Sequence, residues 1–309
     1  MSLTITEFVS FIKILLSMGE MEKAKKYLKV FESDYPKSPE GLSLRGTVLR
    51  HSGQTEEGDK LILEAIELKS QQIKHKNLSL EEKIVHFENI LFLGGNIDVF
   101  FIVGRMQLDI LKECGLLPKH RILDIGCGCL RGGLFVTSYL DKGNYHGIEP
   151  NKVMASFGLK HVLGPQIFEE KEPQIDHNSD YNFGVFDVLF DYCIARSIWT
   201  HCSRAHIEKM LDQFLKYSEE DAVFLASYLP VQGDVEEYKG EAWIGRSHVS
   251  EIGGFVHHSF DWIKSACSKR GLSVVELLSN ESSEEKKVLN AGQQQVWLKI
   301  MRFSHSTKQ

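Results

Sequence analysis

The sequence predicts an α/β domain built on a mainly parallel sheet with an antiparallel last strand, preceded by a small all-helical region. Three observations carry this. From Arg121 onward, short apolar runs alternate with helical patterns. The first of those runs opens into a glycine-rich loop, LDIGCGCLRGG, from Leu123 to Gly133. Before residue 77 there is no strand pattern, only amphipathic helical periods, and two turn glycines, Gly19 and Gly53, stand 34 residues apart.

The helical region comes first. GEMEKAKKYLKVFESDYP begins at Gly19 and GQTEEGDKLILEAIEL at Gly53. Each glycine closes a first helix, and an amphipathic second helix follows. Ala24, Leu28 and Phe31 form one face, and Ile62 and Ala65 match the last two of them. The period and the faces resemble tetratricopeptide repeats. Gly58 stands where those repeats carry a small alanine, and Ser70 where they carry a terminal proline. Two such units are few for a free-standing solenoid, so an exposed apolar face is expected to meet the next domain, a second copy or a protein partner. SQQIKHKN, ending at Asn77, is the expected boundary, giving repeats over 1–77 and the α/β domain over 78–309. Helices over 79–115 lead into that domain. The first is opened by the Ser79/Glu82 capping pattern and stopped by Gly94-Gly95. A second covers about Ile102 to Cys114.

Strands are expected at Arg121–Ile125, Tyr145–Glu149, Phe190–Ala195, Ala222–Ser227, Ser273–Leu278 and Gln295–Arg302. Helices fall near Gly133–Leu140, Lys152–Val162, Arg204–Tyr217 and Ser259–Arg270. The last two strands are joined by a polar stretch without a helical stripe, so they are expected to run antiparallel.

Composition narrows the function classes. The chain has 309 residues, 42% hydrophobic and 25% charged, with a formal charge of −6. That balance argues against a general nucleic-acid binder. No apolar run approaches the ~20 residues of a membrane span. The Phe8–Leu16 run is broken by Lys13 and lacks a basic leader, so it does not read as a signal peptide. The six cysteines form no CxxC pair, so neither a zinc site nor a disulfide framework is expected, and a reducing cytoplasm is the expected compartment.

The glycine loop lies between a buried strand and a helix, where open α/β sheets bind their ligands. Gly126 and Gly128 remove side chains and let a ligand approach the backbone. A dinucleotide fingerprint would need a third glycine where Arg131 stands, and the Gly-Lys-Ser/Thr ending of a P-loop is absent. Asp124 precedes Gly126 by two residues, and Glu149 closes the second strand 23 residues after Gly126.

ILDIGCGCLRGG followed by YHGIEPN resembles the first two motifs of class I S-adenosylmethionine-dependent methyltransferases. More narrowly it resembles a bacterial group with an LDIGCGxLRGG loop. FDYCIARSIWTHCS, Phe190–Ser203, is similar to that superfamily's fourth motif, where the fourth strand ends beside the reacting methyl group. The resemblance spans Gly104 to Arg302. It implies a Rossmann-like sheet and S-adenosylmethionine as cofactor. It also implies that Asp124, Gly126, Cys127 and Gly128 shape the cofactor loop and that Glu149 accepts hydrogen bonds from the ribose hydroxyls. Arg131 either attracts the methionine carboxylate or simply covers the loop. Arg196 and Ser197, in the fourth-motif turn, are expected to contact the cofactor. An acidic contact to the adenine is expected between Glu149 and Phe190; Asp180 is the candidate and Asp176 the alternative. None of these residues precedes Asn77, so the cofactor site is expected to draw nothing from the repeats.

The implied reaction is methyl transfer to a small-molecule or carbohydrate acceptor, on oxygen. His201, at the rim of the site, is the candidate general base; the alternative is a histidine bonded to backbone at a helix N-terminus. His257 and His258 are a second choice. The long Leu229–His258 connection carries Tyr238, Trp243, Arg246 and His248, a mix suited to gripping a polar ring. Two other classes compete. One is a non-catalytic scaffold whose repeats bind a peptide, and the other a nicotinamide-dependent oxidoreductase, which Arg131 disfavours.

Overall fold

The computed structural model describes residues 4–95, 97–245, 254–277 and 295–303. Four helices come first: α1 Ile5–Ser17, α2 Met21–Asp34, α3 Pro39–His51 and α4 Thr55–Ile73. Thr4 and Glu7 cap α1 reciprocally, the Thr4 N–H donating to Glu7 Oε2 at 2.8 Å. Gly19 and Gly53 take positive φ, 73° and 82°, and turn each first helix into its second. The residue that broke the repeat pattern has a packing reason. A Cβ on Gly58 would lie 2.5 Å from the Gly46 carbonyl oxygen, and one on Gly46 would lie 2.6 Å from that of Gly58. Helices α3 and α4 touch backbone to backbone, so even alanine is too large there.

Two cores meet in this region. Phe8, Ile12, Leu28, Phe31, Leu44 and Val48 form one. Ile62, Ala65, Ile66 and Ile73 of α4 belong instead to the core under the sheet, with Phe87 and Phe157. Apolar packing is therefore continuous across residue 77, and Lys160 adds an ion pair to Glu67 at 2.8 Å.

The helix expected up to Gly94 is shorter. α5 spans Leu80–Val85 and the chain continues as turns. Ile84, Phe87, Ile90, Leu91 and Leu93 are all buried. In a continuous helix Leu93 would face away from Ile84, and the turns bring both to one core. A 3-10 turn at Ile97–Val99 then leads into α6, Phe100–Glu113.

The sheet has seven strands: β1 Ile122–Ile125, β2 Tyr145–Ile148, β3 Gln174–Asp176, β4 Phe190–Ala195, β5 Ser218–Tyr228, β6 Leu272–Leu277 and β7 Val296–Arg302. Their order is β3-β2-β1-β4-β5-β7-β6. The first five are parallel, and β7 runs antiparallel between β5 and β6. This is the Rossmann-like α/β sheet with an antiparallel last strand. β3 escaped the sequence reading because Gln174, Ile175 and Asp176 form a short, polar edge strand with no apolar run.

Helices α7 Gly133–Tyr139, α8 Lys152–Phe157, α9 Gly164–Lys171, α10 Arg204–Tyr217 and α11 Phe260–Ser268 complete the domain. The single helix expected over Lys152–Val162 is broken by a π-helical turn at Gly158–Leu163. There Gly158 presses on the glycine loop: a Cβ would lie 2.6 Å from the Cys129 carbonyl carbon. Among the described residues, no helix is long and apolar enough to cross a membrane.

Candidate functional site

The chain order reverses between β1 and β4, and the loops leaving those strands open a crevice at their carboxyl ends. The loop after β1 is tied to β2, because the Gly126 and Cys127 N–H groups donate to the Ile148 carbonyl at 2.8 and 3.1 Å. Gly126 and Gly128 have φ of 72° and 57°. A Cβ on Gly126 would run into Ile198 Cδ1, from the turn after β4. A Cβ on Gly128 would lie 3.5 Å from Met154 Cε. The other two loop glycines serve packing: side chains there would collide with Gln107, opposite Gly132, and with Tyr145, opposite Gly133. Cys127 and Cys129 are buried fillers, and burial pushes the Cys129 thiol up to about 12.

Glu149 stands at the exit of β2 with only 3% of its surface exposed. Its carboxylate accepts the Gly128 N–H at 3.0 Å and the Asn151 N–H at 2.8 Å. Burial pushes its pKa up to about 7; the two N–H groups pull it down, and Asp124 pushes it further up. Asp124 is buried in β1, accepts the Tyr145 hydroxyl at 2.7 Å, and is raised by burial to about 6. Arg50, on α3, approaches from the helical region. Its Nη1 donates to Asn151 Oδ1 at 3.4 Å, it pairs with Asp59 at 3.0 Å, and its charge favours the ionised Glu149. A residue from the helical region thus reaches the neighbourhood of Glu149. No local signal could have found the contact, since 101 residues separate the partners.

Arg131 and Arg196 leave the loops after β1 and β4, and their charges are close enough for Arg131 to disfavour the charged form of Arg196. Arg131 Nη1 donates to the Gly94 carbonyl at 2.9 Å. Ser197 has φ of 61°, its N–H donates to Ser227 Oγ at 2.7 Å, and its hydroxyl accepts from Gln295 Nε2 at 2.7 Å. It thereby joins the ends of β4, β5 and β7. Asp180 lies on the surface after β3, 3.8 Å from Lys209 of α10. Asp176 ends β3 and accepts from the Asn178 backbone and side-chain amides at 2.8 and 2.6 Å.

His201 lies in the turn after β4. Its Nδ1 bonds the Ile244 carbonyl at 2.6 Å, and its ring lies 5.4 Å from that of Trp243 and 5.2 Å from that of Phe255. Burial lowers its pKa, while the Ile244 and Gly254 carbonyls raise it. The Leu229–His258 connection is strapped to this turn at several points. Ile244 N–H donates to the His201 carbonyl at 2.9 Å and Val256 N–H to that of Thr200 at 2.8 Å. His258 Nε2 bonds the Cys202 carbonyl at 3.0 Å, and Arg204 pairs with Glu237 at 2.6 Å. His257 Nδ1 bonds the Pro230 carbonyl at 3.0 Å. Beside the strap, Glu236–Lys239 and Phe255–His257 line a cavity of about 640 Å³. Tyr238 and Trp243 lie in this connection; Arg246 and His248 fall outside the described residues.

No protein-family model matches the chain. Among the solved structures that resemble it in part are the following three. The magnesium protoporphyrin IX methyltransferase from Synechocystis PCC 6803, solved with bound S-adenosylmethionine, is 13% identical over 74% of this chain and 99% of its own, with a TM-score of 0.46. A glycopeptide N-methyltransferase is 12% identical over 65% and 90%, with a TM-score of 0.47. The YcgJ protein from Bacillus subtilis is 15% identical over 64% and 98%, with a TM-score of 0.44.

Proposed function

We propose that this chain is an S-adenosylmethionine-dependent methyltransferase acting on a small-molecule or carbohydrate acceptor, at an oxygen atom. The observation that carries the reading is Glu149. A buried carboxylate at the end of β2 is held by two backbone N–H groups beside a positive-φ glycine loop, and no cation pairs with it directly among the described residues. Vicinal hydroxyls donating to it would compensate the charge that burial disfavours. The donor set fits the cofactor in two further ways. Gly126 and Gly128 leave the backbone bare where it would pass, and among the described residues Arg131 has one N–H on Gly94 and no other partner, which leaves the rest of its fork for a carboxylate.

When bound, the cofactor supplies an electrophilic methyl group on a sulfonium, so the chain's own residues have chiefly to bind and orient. Glu149 fixes the ribose, Asp124 and the glycine loop shape the floor, and Arg131 holds the carboxylate. Asp176 or Asp180 meets the adenine. The strapped connection shields the acceptor end from water, and alignment supplies much of the rate. His201 is the candidate general base: Nδ1 donating to the Ile244 carbonyl fixes the tautomer that leaves Nε2 to take the acceptor's proton, and the same bond anchors the strap. The helices before residue 77, read as tetratricopeptide-like, steady the ribose edge through Arg50 and Asn151. Calorimetry with S-adenosylmethionine, S-adenosylhomocysteine and NAD tests the reading: the first two should bind, and NAD should not.

A further inference from the structure

Arg131 and Arg196 belong to the two loops that leave β1 and β4 at the carboxyl edge of the sheet, and their guanidinium charges are neighbours. β1 and β4 are paired with Asp124 opposite Ile194. Two residues further along stand Gly126 and Arg196, so Arg196 leaves its strand at the level where the glycine loop begins. The backbone that carries it is fixed: Ser197 holds a left-handed φ of 61°, anchored through Ser227. Both arginines are half-buried, and among the described residues neither has an ion pair with a carboxylate. Among the described residues Arg131 has its one bond to Gly94, and the Arg196 guanidinium has no hydrogen-bond partner. Burial and the neighbouring Arg131 charge push Arg196 down to about 9. Uncompensated charge in a half-buried site is unfavourable for the fold alone, and an anion arriving from outside removes the cost.

The cofactor does not bring enough negative charge. S-adenosylmethionine carries one carboxylate against an ammonium and a sulfonium. With that carboxylate on Arg131, as the proposed function has it, Arg196 would be left without a counter-charge from the cofactor. Arg196 also opens the turn to which the Leu229–His258 connection is strapped.

We propose that Arg196 seats an anionic group of the methyl acceptor, a carboxylate or a phosphate, so that the acceptor is an acidic small molecule such as a uronic acid or a phosphorylated sugar. The anion serves as an anchor, and the methylated oxygen lies elsewhere on the same molecule. This rests on the methyltransferase reading and narrows its substrate class.

The test uses the full-length protein and calorimetry in two stages. S-adenosylhomocysteine is titrated first. The saturated complex is then titrated with inorganic phosphate, glucuronate or neutral glucose. The wild-type complex should bind phosphate or glucuronate and not glucose, and whichever anion binds identifies its source. Arg196→Met should weaken that anion at least tenfold while S-adenosylhomocysteine affinity stays within twofold. Arg196→Lys should retain part of the anion affinity, and it gives a second reading should the methionine variant fold poorly. Anion binding undiminished in both variants overturns the proposal, as does absence of anion binding to the wild-type complex. Parallel loss of S-adenosylhomocysteine in Arg196→Met also overturns it, by assigning Arg196 to the cofactor carboxylate. Failure of the wild type to bind S-adenosylhomocysteine at all shows instead in the first stage, and sinks the methyltransferase reading beneath it.

Discussion

Replacing Glu149 with glutamine should make the ligand-free protein more stable and its cofactor binding worse. The folded pKa of Glu149 is raised from 4.5 to about 7, chiefly by burial. A raised acid disfavours its charged form in the fold. Its contribution to stability therefore declines as pH climbs from about 4.5 and is fully lost above about 7. The difference corresponds to about 3 kcal/mol. Glutamine removes that cost and keeps the volume, but turns an amide N–H toward one of the two backbone donors, which costs about 1 kcal/mol. The net gain at pH 8 is about 2 kcal/mol, or about 3 °C in melting temperature for a chain of this length. By pH 5 the gain should vanish. Binding moves the other way, because a charged acceptor for two hydroxyls is lost; affinity for S-adenosylhomocysteine should fall roughly tenfold to a hundredfold. Thermal melts from pH 5 to 8.5, with calorimetry at pH 8, read both effects. An unchanged affinity in a folded variant refutes the ribose assignment. A lower melting temperature at pH 8 refutes the account of Glu149 as a buried, under-compensated charge.

Gly128→Val should abolish S-adenosylhomocysteine binding while only modestly lowering the melting temperature. The obstacle is the φ of 57°, since Met154 Cε at 3.5 Å leaves room for a Cβ; retained tight binding in calorimetry would contradict it. Gly126→Ala should be worse than Gly128→Ala in both stability and binding, because its Cβ strikes Ile198 as well; equal effects of the two alanines would count against this. Arg50→Ala should weaken S-adenosylhomocysteine roughly threefold to tenfold by releasing Asn151 and removing a cation near Glu149, and Arg50→Lys should recover part of the loss; an unaffected alanine variant would show that α3 does not support the site. Removal of residues through Asn77 should leave an aggregating protein, because Phe87 and Phe157 lose the α4 side chains they pack against; a monodisperse truncated form with wild-type affinity in light scattering and calorimetry would disprove it.

Much of this molecule is legible from local pattern. β4 and α10 fall where their apolar periods place them, and the antiparallel end of the sheet follows from a connection without a helical stripe. What escaped depends on partners distant in sequence. β3 exists because β2 offers it an edge, and its own residues are too polar and too few to announce it. α5 stops early so that Leu93 can reach a core that also contains α4. At the candidate site, motif resemblance singles out the loop glycines and Glu149, and the fold sets the Gly128 N–H 3.0 Å from the Glu149 carboxylate. The engagement of His201 by the Ile244 carbonyl has no such signal, because only the folded chain brings residues 201 and 244 together. Arg50 is the same case over a longer separation. Gly58 looked like a defect in a repeat and is a contact requirement of two helices.

The most direct test of the central claim is calorimetry of the wild-type, full-length protein with S-adenosylhomocysteine at pH 8 and pH 6. Hydroxyls donating to Glu149 require its ionised form, and a pKa of about 7 leaves that form a minority at pH 6. The account predicts saturable one-to-one binding at pH 8, weakened about tenfold at pH 6, and no binding of NAD. Absence of S-adenosylhomocysteine binding at millimolar concentration, or binding of NAD in its place, would contradict it.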